Sequence, residues 1–163
     1  MGEKRSRKPR PVAFVRCGGG TPATEGGPCC EHGCVGCGAC VEACRFGAVS
    51  VDERGVAVVD REACRGCGLC ARSCPRGVIE MIDPDQRIAV RCVNPDPGPV
   101  ARKVCATSCI GCGMCERACP VGAIRVADGC ARIDHALCIS CGMCATKCPR
   151  DAIADAFGLF AGR

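Results

Sequence analysis

One cysteine pattern occurs four times in this chain of 163 residues. Each copy has four cysteines with the spacing Cys-x2-Cys-x2-Cys-x3-Cys, and together the copies use 16 of the 22 cysteines. The copies run from Cys34 to Cys44, Cys64 to Cys74, Cys109 to Cys119 and Cys138 to Cys148. Regular thiol spacing without a secretory signal is typical of a metal-binding framework rather than of a disulfide scaffold. The fold must therefore curl around four metal centres.

The spacing resembles the ligand run of bacterial ferredoxins, whose thiolates bind 4Fe-4S clusters. Three copies are followed directly by a proline: Pro75, Pro120 and Pro149. All four have glycine after the second cysteine: Gly38, Gly68, Gly113 and Gly142. Glycine tolerates positive φ, so the loop can curl around a cubane. We therefore expect the 16 motif cysteines to ligate iron in four 4Fe-4S clusters, about 16 iron atoms per chain.

In two-cluster ferredoxins the fourth cysteine of a run ligates the other cluster, and the resemblance implies the same crossed arrangement here. The runs pair by distance along the chain, because the step from Cys34 to Cys64 is shorter than the step from Cys64 to Cys109. One pair of clusters is assigned to Cys34, Cys37, Cys40 and Cys74 and to Cys64, Cys67, Cys70 and Cys44. The other pair is assigned to Cys109, Cys112, Cys115 and Cys148 and to Cys138, Cys141, Cys144 and Cys119.

The second half of the chain repeats the first at an offset of about 75 residues. We expect an α+β protein with a basic disordered leader (1–11) and two ferredoxin-like dicluster units (12–83 and 84–163) built from short helices and β-hairpins. Hairpins are predicted over Ala48–Asp60, over Ala123–Asp134 and around Pro84. The stretches 18–28 and 94–100 are rich in Gly and Pro, which predicts connecting loops.

Composition limits what else can hold such a fold together. The chain has no Trp, no Tyr and four Phe, too few large side chains for an ordinary core. The clusters are expected to supply the missing core, so the metal-free chain should be largely unfolded. No apolar run reaches the roughly 18 residues that a membrane span requires.

The formal net charge of +5 treats the ligand cysteines as neutral thiols. An oxidised cluster with four thiolates carries about −2, so four clusters would make the folded body acidic. Residues 1–10 hold five basic side chains and one acidic one, so the basic charge concentrates in the leader. This distribution argues against a nucleic-acid-binding role.

Six cysteines lie outside the four motifs: Cys17, Cys29, Cys30, Cys92, Cys105 and Cys130. Cys30 and Cys105 each extend the next motif into the three-cysteine pattern of radical S-adenosylmethionine enzymes, but the chain is too short for the barrel of about 200 residues that such enzymes need. Neither unit by itself contains four surplus cysteines. We expect them to pack near the clusters, with a zinc site as the alternative.

From Pro11 onward the chain resembles the polyferredoxin portion of the B subunit of Rnf-type ion-translocating ferredoxin:NAD oxidoreductase complexes. The resemblance is carried by VAFVRCGGG, HGCVGCGAC, TSCIGCGMC, QRIAVRC and CISCGMCATKCP. It implies a relay of single low-potential electrons, with no active site and no small-molecule substrate of its own. The implied partners are a soluble ferredoxin or flavoprotein and membrane complex subunits. The implied location is the cytoplasm, at the membrane face through those subunits.

Other functions remain open from the residues alone. The chain could be an electron-relay or docking subunit of another flavin- or NAD-linked oxidoreductase, or a free-standing polyferredoxin. A zinc-binding structural protein is the alternative from another class.

Overall fold

The computed structural model describes residues 9–19 and 30–155. Most of the basic leader, Cys29 and most of the predicted loop 18–28 lie outside the described residues. Within the described ranges, no helix has both the length and the apolar surface to cross a bilayer.

In its described residues, the first half combines two short helices with two strand pairs. Its elements are β1 (Val12–Val15), α1 (Ala39–Glu42), β2 (Val49–Val51), β3 (Ala57–Val59), α2 (Leu69–Ser73) and β4 (Ile79–Ile82). β2 and β3 pair antiparallel, which confirms the hairpin predicted over Ala48–Asp60. β1 pairs antiparallel with β4, with Val12 opposite Ile82. This second pairing closes the unit, because it joins its first strand to its last.

The second half repeats this plan and also contains a helix, Gly98–Val104, whose counterpart in the first half would fall at residues outside the described ranges. Its elements are β5 (Ile88–Val90), α3 (Gly98–Val104), α4 (Met114–Ala118), β6 (Ile124–Ala127), β7 (Cys130–Ile133), α5 (Met143–Lys147) and β8 (Ile153–Asp155). β6 and β7 form the hairpin predicted over Ala123–Asp134. β5 pairs antiparallel with β8 and closes this unit as β1 and β4 close the first.

The predicted loop 94–100 is partly wrong, because α3 begins inside it at Gly98. Pro97 is the residue that precedes the helix, and Pro99 lies in its first turn. Proline is tolerated there, since the first amides of a helix have no intrahelical acceptor. A Pro-rich stretch therefore started a helix where the sequence predicted a loop.

The predicted hairpin around Pro84 is also wrong. A tight turn does form, in which the Gln86 amide donates to the Asp83 carbonyl at 3.0 Å. The strands on either side pair with β1 and β8 instead of with each other. The reason is burial: Ile79 of β4 packs in the core of the first unit, whereas Ile88 of β5 packs in the core of the second.

Each unit has its own small core, made of Val, Ile and Ala side chains together with cysteines. The third cysteine of each motif is buried in it: Cys40, Cys70, Cys115 and Cys144. The thiols therefore occupy positions that larger apolar side chains fill in ordinary domains.

The two units contact each other where β1 ends and where the chain leaves β5. Arg16 donates from Nη2 to the Cys92 carbonyl at 3.4 Å, and from Nη1 it pairs with Glu80 at 3.3 Å. A Cβ placed on Gly18 would lie 3.3 Å from Thr107 Oγ1 of the other unit. The segments that follow β1 and β5 are thus packed together.

Candidate metal centres

The ligand loops depend on left-handed glycine conformations. Gly36, Gly66 and Gly111, which precede the second cysteine, have φ between 64° and 70°. In the fourth motif Ser140 occupies this position with φ 55°. The glycine after the second cysteine also has positive φ in all four motifs, and a short helix carrying the third cysteine begins directly after it. The loop and the helical turn together curl the backbone that carries the first three cysteines.

Gly66 and Gly38 differ in how closely other atoms pack against the ligand loops. A Cβ at Gly66 would overlap the carbonyl oxygen of Pro11, whereas a Cβ at Gly38 would meet no atom within 4 Å. Both residues have left-handed φ, so Ala costs about 1–2 kcal/mol of strain at either site. We expect Gly66→Ala to cost about 2 kcal/mol more than Gly38→Ala, because the backbone of Pro11 must move. The thermal midpoint of iron–sulfur absorbance loss measures both variants, and equal midpoints would contradict the expectation.

One cavity in each unit gathers the first three cysteines of one motif with the fourth cysteine of the next. In the first unit a cavity is lined by Cys34, Cys37, Cys40 and Cys74. In the second unit an equivalent cavity is lined by Cys109, Cys112, Cys115 and Cys148. Aliphatic side chains form part of the remaining walls, Val78 and Ile79 in the first and Ala152 and Ile153 in the second, and Arg76 and Arg150 line them at equivalent places. Four thiols inside an apolar wall are the donor set that a 4Fe-4S cubane requires.

For the other two predicted ligand sets, the pKa of the buried third cysteine shows which thiols lie near it. Burial raises the pKa of Cys70, and the nearby thiols of Cys64, Cys44 and Cys67 raise it further. Cys44 therefore lies among the first three cysteines of the following motif. Burial also raises the pKa of Cys144 to about 12, with Cys138 adding to the increase.

Backbone amides donate to the sulfur atoms in both units at equivalent positions. Ala57 donates to Cys34 Sγ at 3.5 Å, and Ala131 donates to Cys109 Sγ at 3.4 Å. The fourth cysteines accept in the same way, Cys44 from Ala48 at 3.3 Å and Cys119 from Ala123 at 3.2 Å. Such amides stabilise negative charge on sulfur, and they are among the factors that set a cluster's reduction potential.

The cysteines within each motif differ in exposure by position. The second cysteine is exposed in all four motifs, whereas the third is buried: Cys37, Cys67, Cys112 and Cys141 against Cys40, Cys70, Cys115 and Cys144. Burial raises the pKa of Cys115 to about 11, so in the metal-free chain this thiol keeps its proton at neutral pH. Iron must displace that proton to bind, since the thiolate is the ligand.

The surplus cysteines are not scattered as the sequence suggested. Cys17 and Cys30 of the first unit line one cavity together with Cys92 and Cys105 of the second. Cys130 lies beside this group, with its thiol 3.3 Å from the Cys92 carbonyl oxygen. Cys29 lies outside the described residues. One sign of this grouping is present in the sequence: Cys17 and Cys30 recur as Cys92 and Cys105, 75 residues further along the chain. That recurrence could not indicate that the two pairs lie against each other.

Within the described residues, no three His, Cys, Asp or Glu side chains meet closely enough to hold a single metal ion. The thiols instead stand around the walls of cavities, and a cubane is larger than one ion.

Comparison with known families agrees with this geometry. A family model described as a 4Fe-4S dicluster domain matches residues 33–78 and 108–152, which together make up more than half of the chain. A second model of the same description matches residues 63–123.

Three curated relatives resemble the chain, and each is the B subunit of a larger complex. That of a Na(+)-translocating ferredoxin:NAD(+) oxidoreductase complex from Acetobacterium woodii is 39% identical over 69% of this chain and 34% of the relative. The B subunit of a proton-translocating ferredoxin:NAD(+) oxidoreductase complex from Clostridium ljungdahlii is 40% identical, over 58% of this chain and 40% of the relative. The B subunit of an ion-translocating oxidoreductase complex from Methanosarcina acetivorans is 43% identical, over 47% of this chain and 29% of the relative. The matched regions thus span about a third of the length of these relatives.

Proposed function

Because this chain belongs to the 4Fe-4S dicluster domain family, we propose that it is an electron-transfer polyferredoxin that relays single low-potential electrons between ferredoxin and a partner oxidoreductase. We divide it into two units, residues 12–83 and 84–163, and the separate strand pairs β1–β4 and β5–β8 support this division. When bound, a 4Fe-4S cluster accepts and donates one electron. The chain itself positions the clusters and tunes their potentials.

The four-thiol cavities are the observation that carries this proposal. Each cavity joins three cysteines of one motif to the fourth cysteine of another, and the arrangement recurs in both units. We assign the iron ligands by the same rule throughout. The sets are Cys34, Cys37, Cys40 and Cys74; Cys64, Cys67, Cys70 and Cys44; Cys109, Cys112, Cys115 and Cys148; and Cys138, Cys141, Cys144 and Cys119.

The exposure pattern favours electron exchange over a purely structural role for the clusters. A cluster bound through the exposed second cysteine would be accessible to a partner at the surface. The buried third cysteine would anchor that cluster to the apolar core. The amides that donate to Cys34 and Cys109 partly offset the negative charge that reduction adds.

The place of the chain within a larger assembly is proposed from the curated relatives. All three are named as the B subunit of an oxidoreductase complex, and two of these complexes are named as ferredoxin:NAD(+) oxidoreductases. We propose that the chain serves as a subunit of an Rnf-type complex, with soluble ferredoxin as its electron donor. The complex holds it at the cytoplasmic face of the membrane through partner subunits.

Reduction by ferredoxin tests this function. A small amount of bacterial ferredoxin, kept reduced by a photochemical donor, should reduce the loaded chain at least about tenfold faster than the photochemical donor alone. The visible iron–sulfur absorbance and electron paramagnetic resonance of the chain measure the reduction.

The control uses a flavodoxin in place of ferredoxin, which separates a general low-potential partner from a specific one. A chain that accepts electrons from the chemical donor while neither protein accelerates its reduction has structural clusters, and the proposed relay is then wrong.

A further inference from the structure

A third thiol cavity lies between the two units. It is lined by four cysteines, Cys17, Cys30, Cys92 and Cys105. Cys17 corresponds to Cys92, and Cys30 to Cys105, at the same offset that relates the first motif to the third. The cavity therefore consists of two equivalent cysteine pairs, one from each half of the chain.

The four thiols are close enough to influence one another. Burial raises the pKa of Cys30, and the nearby thiols of Cys105 and Cys92 raise it further. Burial likewise raises the pKa of Cys17, and the thiols of Cys34 and then Cys105 raise it further. Each unit by itself supplies two of these thiols, so the set exists because the units pack together.

The sulfur atoms of this set are held by amides, as the motif sulfurs are. Cys34 donates its backbone N–H to Cys17 Sγ at 3.3 Å, and Cys109 donates its backbone N–H to Cys92 Sγ at 3.3 Å. The donor in each case is a residue that we assign as an iron ligand of a neighbouring cluster. One hydrogen bond on each side thus links the third cavity to a motif cluster.

Glycines leave room for these sulfur atoms. A Cβ at Gly33 would lie 3.3 Å from Cys17 Sγ and 3.7 Å from Cys30 Sγ. A Cβ at Gly19 would lie 3.3 Å from Cys105 Sγ. A larger side chain at either place would press on the thiols from the side.

Two arginines also line the cavity, and their charge suits an anionic group. Arg16 and Arg91 occupy equivalent positions directly before Cys17 and Cys92. The Nε of Arg91 is buried and has no hydrogen-bond partner among the described residues. Arg91 is half-buried, its Nη2 donates to the Asp151 carbonyl at 3.5 Å, and Asp151 partly offsets the lowering of its pKa by burial. A negative group beside the unpaired Nε would compensate this cation further. A cluster with four thiolate ligands carries about −2 and would supply that charge.

We propose that Cys17, Cys30, Cys92 and Cys105 bind a fifth iron–sulfur cluster, a 4Fe-4S cubane, at the junction of the two units. On ligation four S–H bonds are exchanged for four S–Fe bonds, and four protons leave to solvent. This inference rests on the proposed function for its purpose: the cluster takes one electron from the reduced cluster on one side and passes it to the oxidised cluster on the other. It replaces the packing role that the sequence suggested for these four cysteines.

Iron content tests the proposal directly. The full chain, reconstituted anaerobically, should hold about 20 iron and 20 sulfide instead of about 16 of each. A Cys30→Ser/Cys105→Ser variant should fall to about 16 iron, because it removes one ligand from each pair. Cys130→Val is the matched control: Cys130 is also buried and contacts the Cys92 carbonyl, and valine stands at the corresponding position, Val56, of the first unit. The control should keep about 20 iron.

The iron content of the unsubstituted chain tests the proposal even if a variant fails to fold. About 16 iron, about 18 iron with a 2Fe-2S spectrum, or one bound zinc per chain would each overturn the cubane assignment. A chain that holds about 16 iron and is reduced by ferredoxin would support the proposed function and contradict the fifth cluster. A chain that holds about 20 iron and is not reduced by ferredoxin would support the fifth cluster and contradict the proposed function.

Discussion

Replacing Cys74 by Ser is expected to cost the chain the cluster of Cys34, Cys37 and Cys40, not the cluster of the motif in which Cys74 stands. The physical reason is the cavity of the first unit, where Cys74 faces those three cysteines across apolar walls. Iron content of double variants gives the readout, because two ligands of one cluster cannot each remove a separate set of four iron atoms.

The double variant Cys37→Ser/Cys74→Ser should lose about four iron atoms, as many as either single variant. Cys67→Ser/Cys74→Ser should lose about eight, because its two residues serve different clusters. Cys37 and Cys67 suit this comparison, since both are exposed and their replacement leaves no buried cavity.

The second unit supplies a matched control. Cys148→Ser combined with Cys112→Ser should lose about four iron atoms, and combined with Cys141→Ser about eight. The opposite pattern in either unit would show that each motif holds its own cluster, and the crossed assignment would then be wrong.

Removing the iron from the whole chain is expected to unfold both units. The cores bury Cys40, Cys70, Cys115 and Cys144 beside small aliphatic side chains, so the clusters occupy the space that large apolar side chains fill elsewhere. Structural zinc in small zinc-finger domains contributes about 10–16 kcal/mol, as much as the typical net stability of a domain of about 5–15 kcal/mol, and metal–thiolate ligation is expected to matter to the same degree here. Chelation under reducing conditions should therefore abolish most amide protection against hydrogen exchange.

The control for this experiment is refolding of the chelated chain when its clusters are rebuilt. Returning iron and sulfide to the chelated chain should restore both the visible spectrum and the exchange protection. A chelated chain that keeps its protection in β1 and β4 or in β5 and β8 would show that the strand pairs fold without clusters.

Local segments of this fold could be predicted from the sequence because their causes are local. Gly55 and the Asp128-Gly129 pair mark the turns of the two hairpins, and both hairpins formed where expected. The glycines of each motif indicate the curled ligand loops, and the structure gives them left-handed φ. Periodicity and turn residues act over a few neighbours, so they can be recognised without knowing the rest of the chain.

Strand partners could not be predicted in the same way. Both ligand motifs of the first unit lie between β1 and β4, and both motifs of the second unit lie between β5 and β8. Strands this short carry too little pattern to specify a partner so far along the chain. The turn at Pro84 suggested local pairing, but the burial of Ile79 and Ile88 in separate cores decided against it.

The sequence by itself determined the ligand chemistry, because thiol spacing and glycine positions within one motif are enough to wrap a cluster. Tertiary structure alone decided that the surplus thiols of the two units meet. Cys17 and Cys30 recur as Cys92 and Cys105, yet each unit holds two of the four. The third cavity exists because the segments after β1 and β5 pack against each other, a contact that depends on the burial of both units and that no local pattern encodes.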